Sequence, residues 1–242
     1  MTSNFTLGIV AASPLAEFDG QWLDGLSFCA KVYALFEAIR RGSDGPSRFR
    51  RRPSKLEKKL LEELLPISKY VQASYRPGRY ISVRWADGSQ RFDAEIKQSG
   101  DYVSHNYYPP AGYLEVTCAM HPNEYLSREL LDTTGNAFGL EGIRRLKDRT
   151  IESVPVSYSN REFVEQFAEI LRERVAAKAE LTYPEDTTLI VQCTLNMPYF
   201  PDEWGDLMSR VQTSLPSSKF REIYFYDTVC HYSQSLYPRS AA

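Results

Sequence analysis

The sequence predicts an α/β fold with a central mixed β-sheet flanked by helices, and three observations carry that prediction. Apolar residues recur at three- and four-residue steps in long segments on both sides of the middle of this 242-residue chain, which is the helical period. Between those segments lie short runs in which apolar and polar residues alternate, bounded by turn residues, as half-buried strands require. Late in the chain, Thr188–Leu195 (TLIVQCTL) is almost continuously apolar, the composition of a strand covered on both faces. The length suits one domain with a sizeable core. Residues 1–53 read as an N-terminal helix and basic loop packed on that core, which spans residues 54–242 and ends in a strand extension.

Taken in order, Phe5–Val10 has the pattern of a short strand, with Pro14 and Gly20 marking the loop after it. From Gln21 to Arg41, Trp22, Leu26, Cys29, Val32, Tyr33, Phe36 and Ile39 repeat as one face of an amphipathic helix. The following GSDGPSRFRRRPS is rich in turn residues and carries Arg48, Arg50, Arg51 and Arg52, so it reads as a mobile basic loop. Ser54 suits the N-cap of the helix KLEKKLLEELL, which Pro66 is expected to stop. On its wheel, Leu56, Leu60, Leu61, Leu64 and Leu65 cover about half the circumference with Glu57 near the middle of the arc, while Lys58, Lys59, Glu62 and Glu63 fall outside. A carboxylate aimed at a core is costly unless paired, protonated or bound to metal, although a first-turn Glu also suits the helix dipole.

Tyr80–Trp85 alternates as a strand, Asp87-Gly88 is a hairpin turn, Arg91–Lys97 returns, and Tyr113–Cys118 is a third strand. Pro122 and Asn123 open a short helix, EYLSRELL, after which the glycine-spaced TTGNAFGLEGIRRLKDRT brings a second basic cluster, Arg144, Arg145, Lys147 and Arg149. Arg161–Leu181 is a long helix with Phe163, Phe167, Ile170, Leu171 and Val175 on one side, expected to lie across the sheet. A helix from about Asp202 to Thr213 leads from the buried strand to a last one, Glu222–Tyr226.

The net charge of -2 and pI near 6.0 give no global attraction to a polyanion, so nucleic-acid binding has to come from local clusters. Cys29, Cys118, Cys193 and Cys230 form no C-x-x-C pair and read as free thiols in a reducing compartment. No window approaches the roughly 20 apolar residues of a membrane span, and the expected location is the cytoplasm. Cys118-Ala-Met-His121 has C-x-x-H spacing and His105 is a further donor, but no second spaced pair completes a zinc site. A G-x-S-x-G elbow, a P-loop and a G-x-G-x-x-G turn are all absent from the sequence.

The functional signal lies in Arg91–Cys118. Strand alternation puts Asp93, Glu95 and Lys97 on one face of one strand and Tyr113, Glu115 and Thr117 on one face of the next. Two acidic faces on neighbouring strands bring carboxylates within reach of one divalent cation. The solvated face of an edge sheet would account for the same residues. Tyr102, Tyr107, Tyr108 and Tyr113 crowd the region, and with the arginine clusters they offer stacking for bases and contacts for phosphates; ordinary packing uses the same residue types.

The order is helix with an inward Glu, strand, hairpin, strand with Asp93, strand with Glu115, helix and buried strand. It resembles the core of the PD-(D/E)xK nuclease superfamily, the restriction-endonuclease-like fold, from roughly Ser54 to Leu195. Phe92-Asp93 stands in place of the Pro-Asp step, and Leu114-Glu115-Val116-Thr117 in place of the apolar-Glu-x-Lys step. The resemblance implies that Asp93, Glu115 and the Val116 carbonyl hold Mg²⁺ or Mn²⁺ for hydrolysis of DNA, with Glu57 as the helix carboxylate. It also implies that Arg48, Arg50, Arg51, Arg52, Arg144 and Arg145 contact phosphates. Thr117 occupies the lysine position and brings no charge; Lys97, on the face of Asp93, is the candidate replacement. A second register, with Asp87 as the acid and Glu95-Ile96-Lys97 as the Glu-x-Lys step, ranks lower because Asp87 is committed to a turn. The implied function is a metal-dependent DNA nuclease, or a nucleic-acid-binding descendant that has lost catalysis. The alternative is a non-enzymatic adaptor that uses the fold as a scaffold, and a homodimer is left open.

Overall fold

In the computed structural model, which describes residues 13–238, Trp22–Asp24 (β1) is a short edge strand and Gly25–Arg40 (α1) is the helix after it. The strand expected at Phe5–Val10 lies outside the described residues. The helical period read from Gln21 begins in fact at Gly25, because Asp24 acts as N-cap and accepts the N–H groups of Leu26 at 3.0 Å and Ser27 at 3.3 Å. Residues expected as a mobile loop form a second helix, Gly45–Arg51 (α2), with Pro46 in its first turn. Its arginines hold it in place. Arg48 bonds Glu57, Arg50 and Arg51 pair with Asp132, and Arg52 beyond its end pairs with Glu62.

Lys55–Lys59 (α3) and Leu65–Ser74 (α4) are one continuous helix interrupted by a wide turn at Leu60–Leu64, so Pro66 does not end it. Proline lacks an N–H, and its ring strikes the carbonyl four residues back in a regular helix. Within the wide turn the Leu65 N–H reaches the Leu60 carbonyl, five residues back, which opens the helix just ahead of the proline.

Tyr80–Trp85 (β2), Ala94–Ser99 (β3) and Ala111–Met120 (β4) form an antiparallel meander, with the short helix Asp101–Ser104 (α5) in its second turn and β1 on the outer edge of β2. Glu124–Thr134 (α6) follows. The second basic segment folds as a separate hairpin of Ile143–Arg145 (β5) and Ile151–Ser153 (β6). Asn160–Ala179 (α7) then carries the chain back, so that Thr187–Thr194 (β7) lies parallel to β4. Pro201–Thr213 (α8) makes a second return, placing Glu222–Asp227 (β8) parallel to β7, and Ser233–Leu236 (β9) adds an antiparallel edge that the sequence reading did not include. The seven-stranded mixed sheet has the order β1-β2-β3-β4-β7-β8-β9.

Both faces of this sheet are covered, as the apolar run in β7 requires. Phe28, Val32, Leu60, Leu64, Ile67 and Val71 pack on one face against Val83, Ile96, Leu114, Val116 and Ile190. Phe167, Leu171, Val175, Leu207 and Met208 pack on the other against Ala119, Leu189, Val191, Ile223 and Phe225. The cysteines are free thiols, Cys29 and Cys193 buried and Cys118 and Cys230 partly so. No described helix is long and apolar enough to cross a membrane.

Glu57 is fully buried, as its place on the wheel indicated, but the reason is structural. Its Oε2 accepts the Ser54 N–H at 3.1 Å in a capping box, and its Oε1 accepts Arg48 Nε at 2.8 Å. Burial pushes this carboxyl up, but the hydrogen bonds from Ser54 and Arg48 outweigh it and hold the group below its usual range. Removing it by Glu57→Ala leaves Arg48 unpaired and takes the acceptor from the Ser54 N–H, half of the capping box. The expected loss is about 2–3 kcal/mol in urea unfolding, with the smaller loss in Glu57→Gln.

Candidate functional site

The sheet forks beside β4. β3 pairs with β4 only from Lys97↔Ala111 to Ala94↔Leu114, whereas β7 follows β4 on the other side as far as Met120↔Thr194. Past Leu114, the side of β4 that faced β3 has no strand partner among the described residues. Asp93, the residue at the entrance of β3, fills the first opening: its N–H donates to the Leu114 carbonyl at 2.8 Å and its Oδ2 accepts the Val116 N–H at 2.7 Å. The N–H and C=O of one strand residue point to the same side, so the Val116 carbonyl faces the same opening.

A cleft of about 750 Å³ occupies the fork, outside the C-terminal end of β4, where open α/β sheets generally bind ligands. Asp93, Glu115, Val116 and Thr117 line it from the sheet, Glu62 and Glu63 from the wide turn, and Arg174 and Lys178 from α7. Glu115 Oε1 accepts Lys178 Nζ at 2.6 Å and the Tyr183 hydroxyl at 3.4 Å. Glu63 accepts Lys59 Nζ at 2.6 Å and the Trp85 indole N–H at 3.0 Å. Burial, then the neighbouring Glu63 and Glu115, push the Asp93 carboxyl from its ordinary 3.8 up to about 7, against the opposing pull of the Val116 N–H and Lys59. Burial and Glu115 likewise raise the Tyr183 hydroxyl. Burial alone would lower the Lys59 ammonium, but Glu63, Asp87 and Asp93 raise it.

The fork thus brings together Asp93, Glu115, Val116 and Thr117 and leaves out the other expected site residues. Glu57 is held by Ser54 and Arg48 and is absent from the cleft wall. Lys97 lies on the exposed side of β3 with its Nζ 4.3 Å from the centre of the Trp22 ring. In the second register, Asp87 pairs with Lys55 and Glu95 with Arg84, so those groups do not converge either. Each arginine expected on phosphate has a carboxylate partner, Arg144 with Glu152 and Arg145 with Glu129 in addition to the pairs around α2. Tyr102 and Tyr108 gather instead around Arg76 and Arg79, the Arg79 guanidinium 3.6 Å from the Tyr108 ring centre, and none of the loop tyrosines lines the cleft. Cys118 and His121 do line it, but His105 bonds the Asp101 carbonyl outside it.

Of the charged cleft residues that went unread in the sequence, Glu63 and Lys178 sit nearest the expected pair, beside Asp93 and Glu115. Glu63 replaces Glu57 as the helix carboxylate because the wide turn breaks the uniform 100° step on which the wheel depends. Lys178 replaces Thr117 and Lys97 as the positive charge. Its only local signal is the i, i+4, i+8 row Ile170, Arg174, Lys178, which lies along one side of α7 and ends in the cleft.

Comparison with protein families, curated proteins and solved structures finds no match. Among the described residues, no group of three or more His, Cys, Asp or Glu side chains is disposed to hold one metal ion. A set of two carboxylates and a carbonyl, Asp93, Glu115 and Val116, is composed of hard oxygen donors suited to Mg²⁺, and a cation would offset the charge of Glu63 and Glu115 that adds to burial in lifting the Asp93 carboxyl.

The raised Asp93 carboxyl has a consequence for stability. Between its unfolded value near 4 and its folded value of about 7, the native chain holds a proton that the unfolded chain has lost. Stability therefore falls as pH rises through that window, by at most ~1.4 kcal/mol per pH unit. Asp93→Asn should remove this slope. Urea unfolding of the two proteins from pH 4 to pH 8 checks it, and the variant is expected to gain on the parent up to about pH 7 and to hold that gain above it.

Proposed function

We propose that the cleft hydrolyses phosphodiester bonds in DNA with the help of Mg²⁺ or Mn²⁺. The observation that carries this reading is the fork, which sets Asp93 beside the Glu115–Thr117 segment at the end of a meander followed by a helix and a parallel strand. Asp93, Glu115 and the Val116 carbonyl would hold the ion, which when bound supplies an activated water and charge stabilisation at the phosphate.

The chain's own groups divide the remaining work. Lys178, 2.6 Å from Glu115, places a positive charge on the wall of the cleft, where it balances the phosphate as negative charge develops on its oxygens. Arg174, one turn earlier on α7, lies on the same wall and serves substrate binding. Asp93 must be ionised to act as a ligand, so its raised carboxyl makes Mg²⁺ affinity, and with it activity at subsaturating Mg²⁺, rise with pH up to about 7. Thr117 offers a hydroxyl donor within the cleft and no charge.

Cleavage of single- and double-stranded DNA with Mg²⁺ or Mn²⁺ tests the reading. Asp93→Asn and Glu115→Gln are each expected to reduce the rate by ~10³-fold or more, and Lys178→Met by ~10²-fold. Lys97→Met should cleave at the parental rate. DNA binding that weakens with salt, without cleavage, would mark a descendant that has lost catalysis; intact DNA and no binding would remove the nucleic-acid reading altogether.

A further inference from the structure

Behind the wall of the cleft lies a second cavity, of about 310 Å³, between α1, the wide turn with α4, and the ends of β7 and β8. Its lining differs in kind from the acidic cleft. Tyr33, Phe36 and Tyr226 provide aromatic surface, Leu61 and Leu65 aliphatic surface, and the polar groups are few. Phe36 is backed by Phe49, stacked at 4.6 Å, so this wall is firm.

The two cavities share a partition made of two side-chain pairs. Glu62 lines the cleft and is bonded to Arg52, which lines the inner cavity. Cys118 lines the cleft and its thiol donates to Gln192 Oε1 at 3.5 Å, while Gln192 lines the inner cavity.

Both inner partners are nine-tenths buried and incompletely used. Gln192 is 8% exposed, and among the described residues its carboxamide makes only that weak bond from the thiol, so its amide donors are free for a ligand in the cavity. Arg52 is 9% exposed, its Nε–H has no partner among the described residues, and its backbone sits at φ +48°, a left-handed conformation that a non-glycine residue adopts at a cost. Buried donors without acceptors cost free energy unless something supplies the acceptor.

The geometry points to this cavity as a pocket for a single nucleobase of a nucleic-acid strand that runs from the cleft across the cavity's rim. The inference deepens the proposed hydrolytic function and rests on it. A base is planar, stacks on aromatic rings whatever its identity, and carries edge acceptors that the Gln192 amide can meet. The volume is at the small end of ligand pockets, enough for a base and too little for a nucleotide chain. Lys69 lies at the same cavity, where its ammonium suits the charge of the attached backbone. The exposed Thr228 marks its rim.

Two measurements on the full-length chain test this. The first is binding of a phosphate-free fluorescent nucleoside, 2-aminopurine riboside. Tyr33→Ala is expected to weaken it about ten-fold, within the range of one base–aromatic stack, and Thr228→Trp to weaken it similarly by blocking the rim with an unchanged unfolding midpoint. The second is cleavage of an oligonucleotide in which one abasic position is moved along the strand. The parent should lose about ten-fold in kcat/KM when a particular base is missing, and Tyr33→Ala should lose little more at that position. Absence of nucleoside binding together with a flat abasic scan overturns the pocket. Cleavage with a flat scan, and nucleoside binding indifferent to Tyr33 and Thr228, overturns the pocket and leaves the hydrolytic reading standing. Nucleoside binding that depends on Tyr33, with no nucleic acid cleaved, supports a nucleobase pocket and overturns the hydrolytic reading instead.

Discussion

The hydrogen bond from the Val116 N–H to Asp93 Oδ2 is the interaction on which the arrangement around it depends. β4 is a central strand, and where β3 turns away from it a backbone donor is left inside the protein without a ladder partner. An unpaired buried N–H costs about 1–3 kcal/mol, so the chain supplies an acceptor from the residue just ahead of β3. That solution has a chemical by-product. It fixes a carboxylate at the mouth of the gap, near Glu115 on the next strand and Glu63 on the helix, and burial, reinforced by the charges of Glu63 and Glu115, lifts the Asp93 carboxyl to about 7. Satisfying the backbone and building an acidic cleft are the same event.

The arginines of the first basic segment are compensated by carboxylates in the fold, while the pI near 6.0 follows from composition, 31 Asp and Glu against 29 Lys and Arg. Arg48, Arg51 and Arg52 each meet a carboxylate on α3, α6 or the wide turn, which converts a segment that looks mobile into a docked helix. Asp132 responds accordingly: a hydrogen bond from Ser47 and the charge of Arg51 hold its carboxyl below the usual range, although burial opposes them. A polyanion reaching this surface exchanges one anionic partner for another and gains less than the arginine count suggests. The inner cavity shows the opposite condition, with Gln192 and Arg52 buried while part of their donor capacity stays unmet.

The wide turn at Leu60–Leu64 joins the local and global descriptions of the helix. It lets Pro66 sit within a continuous helix, brings Glu62 and Glu63 to the cleft, and places Leu61 and Leu65 on the inner cavity. π-type turns are rare and tend to occur at functional sites, which agrees with this one contributing to both cavities. No regular wheel contains that information.

What the sequence determined by itself was whatever depends on neighbours along the chain. The meander, the doubly covered β7, the long α7, the Ser54 cap and the inward direction of Glu57 all follow from periodicity and local hydrogen bonding, and the structure has them. Asp93 and Glu115 were also legible, since strand alternation and one turn suffice to set them near each other. The tertiary structure alone decided which partners those groups take. Glu57 belongs to Arg48, Lys97 rests on Trp22, and the lysine that reaches Glu115 arrives from a helix 63 residues further on. The physical reason is range. Propensity and periodicity act over a few residues, whereas a buried carboxylate is satisfied by whichever donor the packed chain brings within about 3 Å, at any separation in sequence.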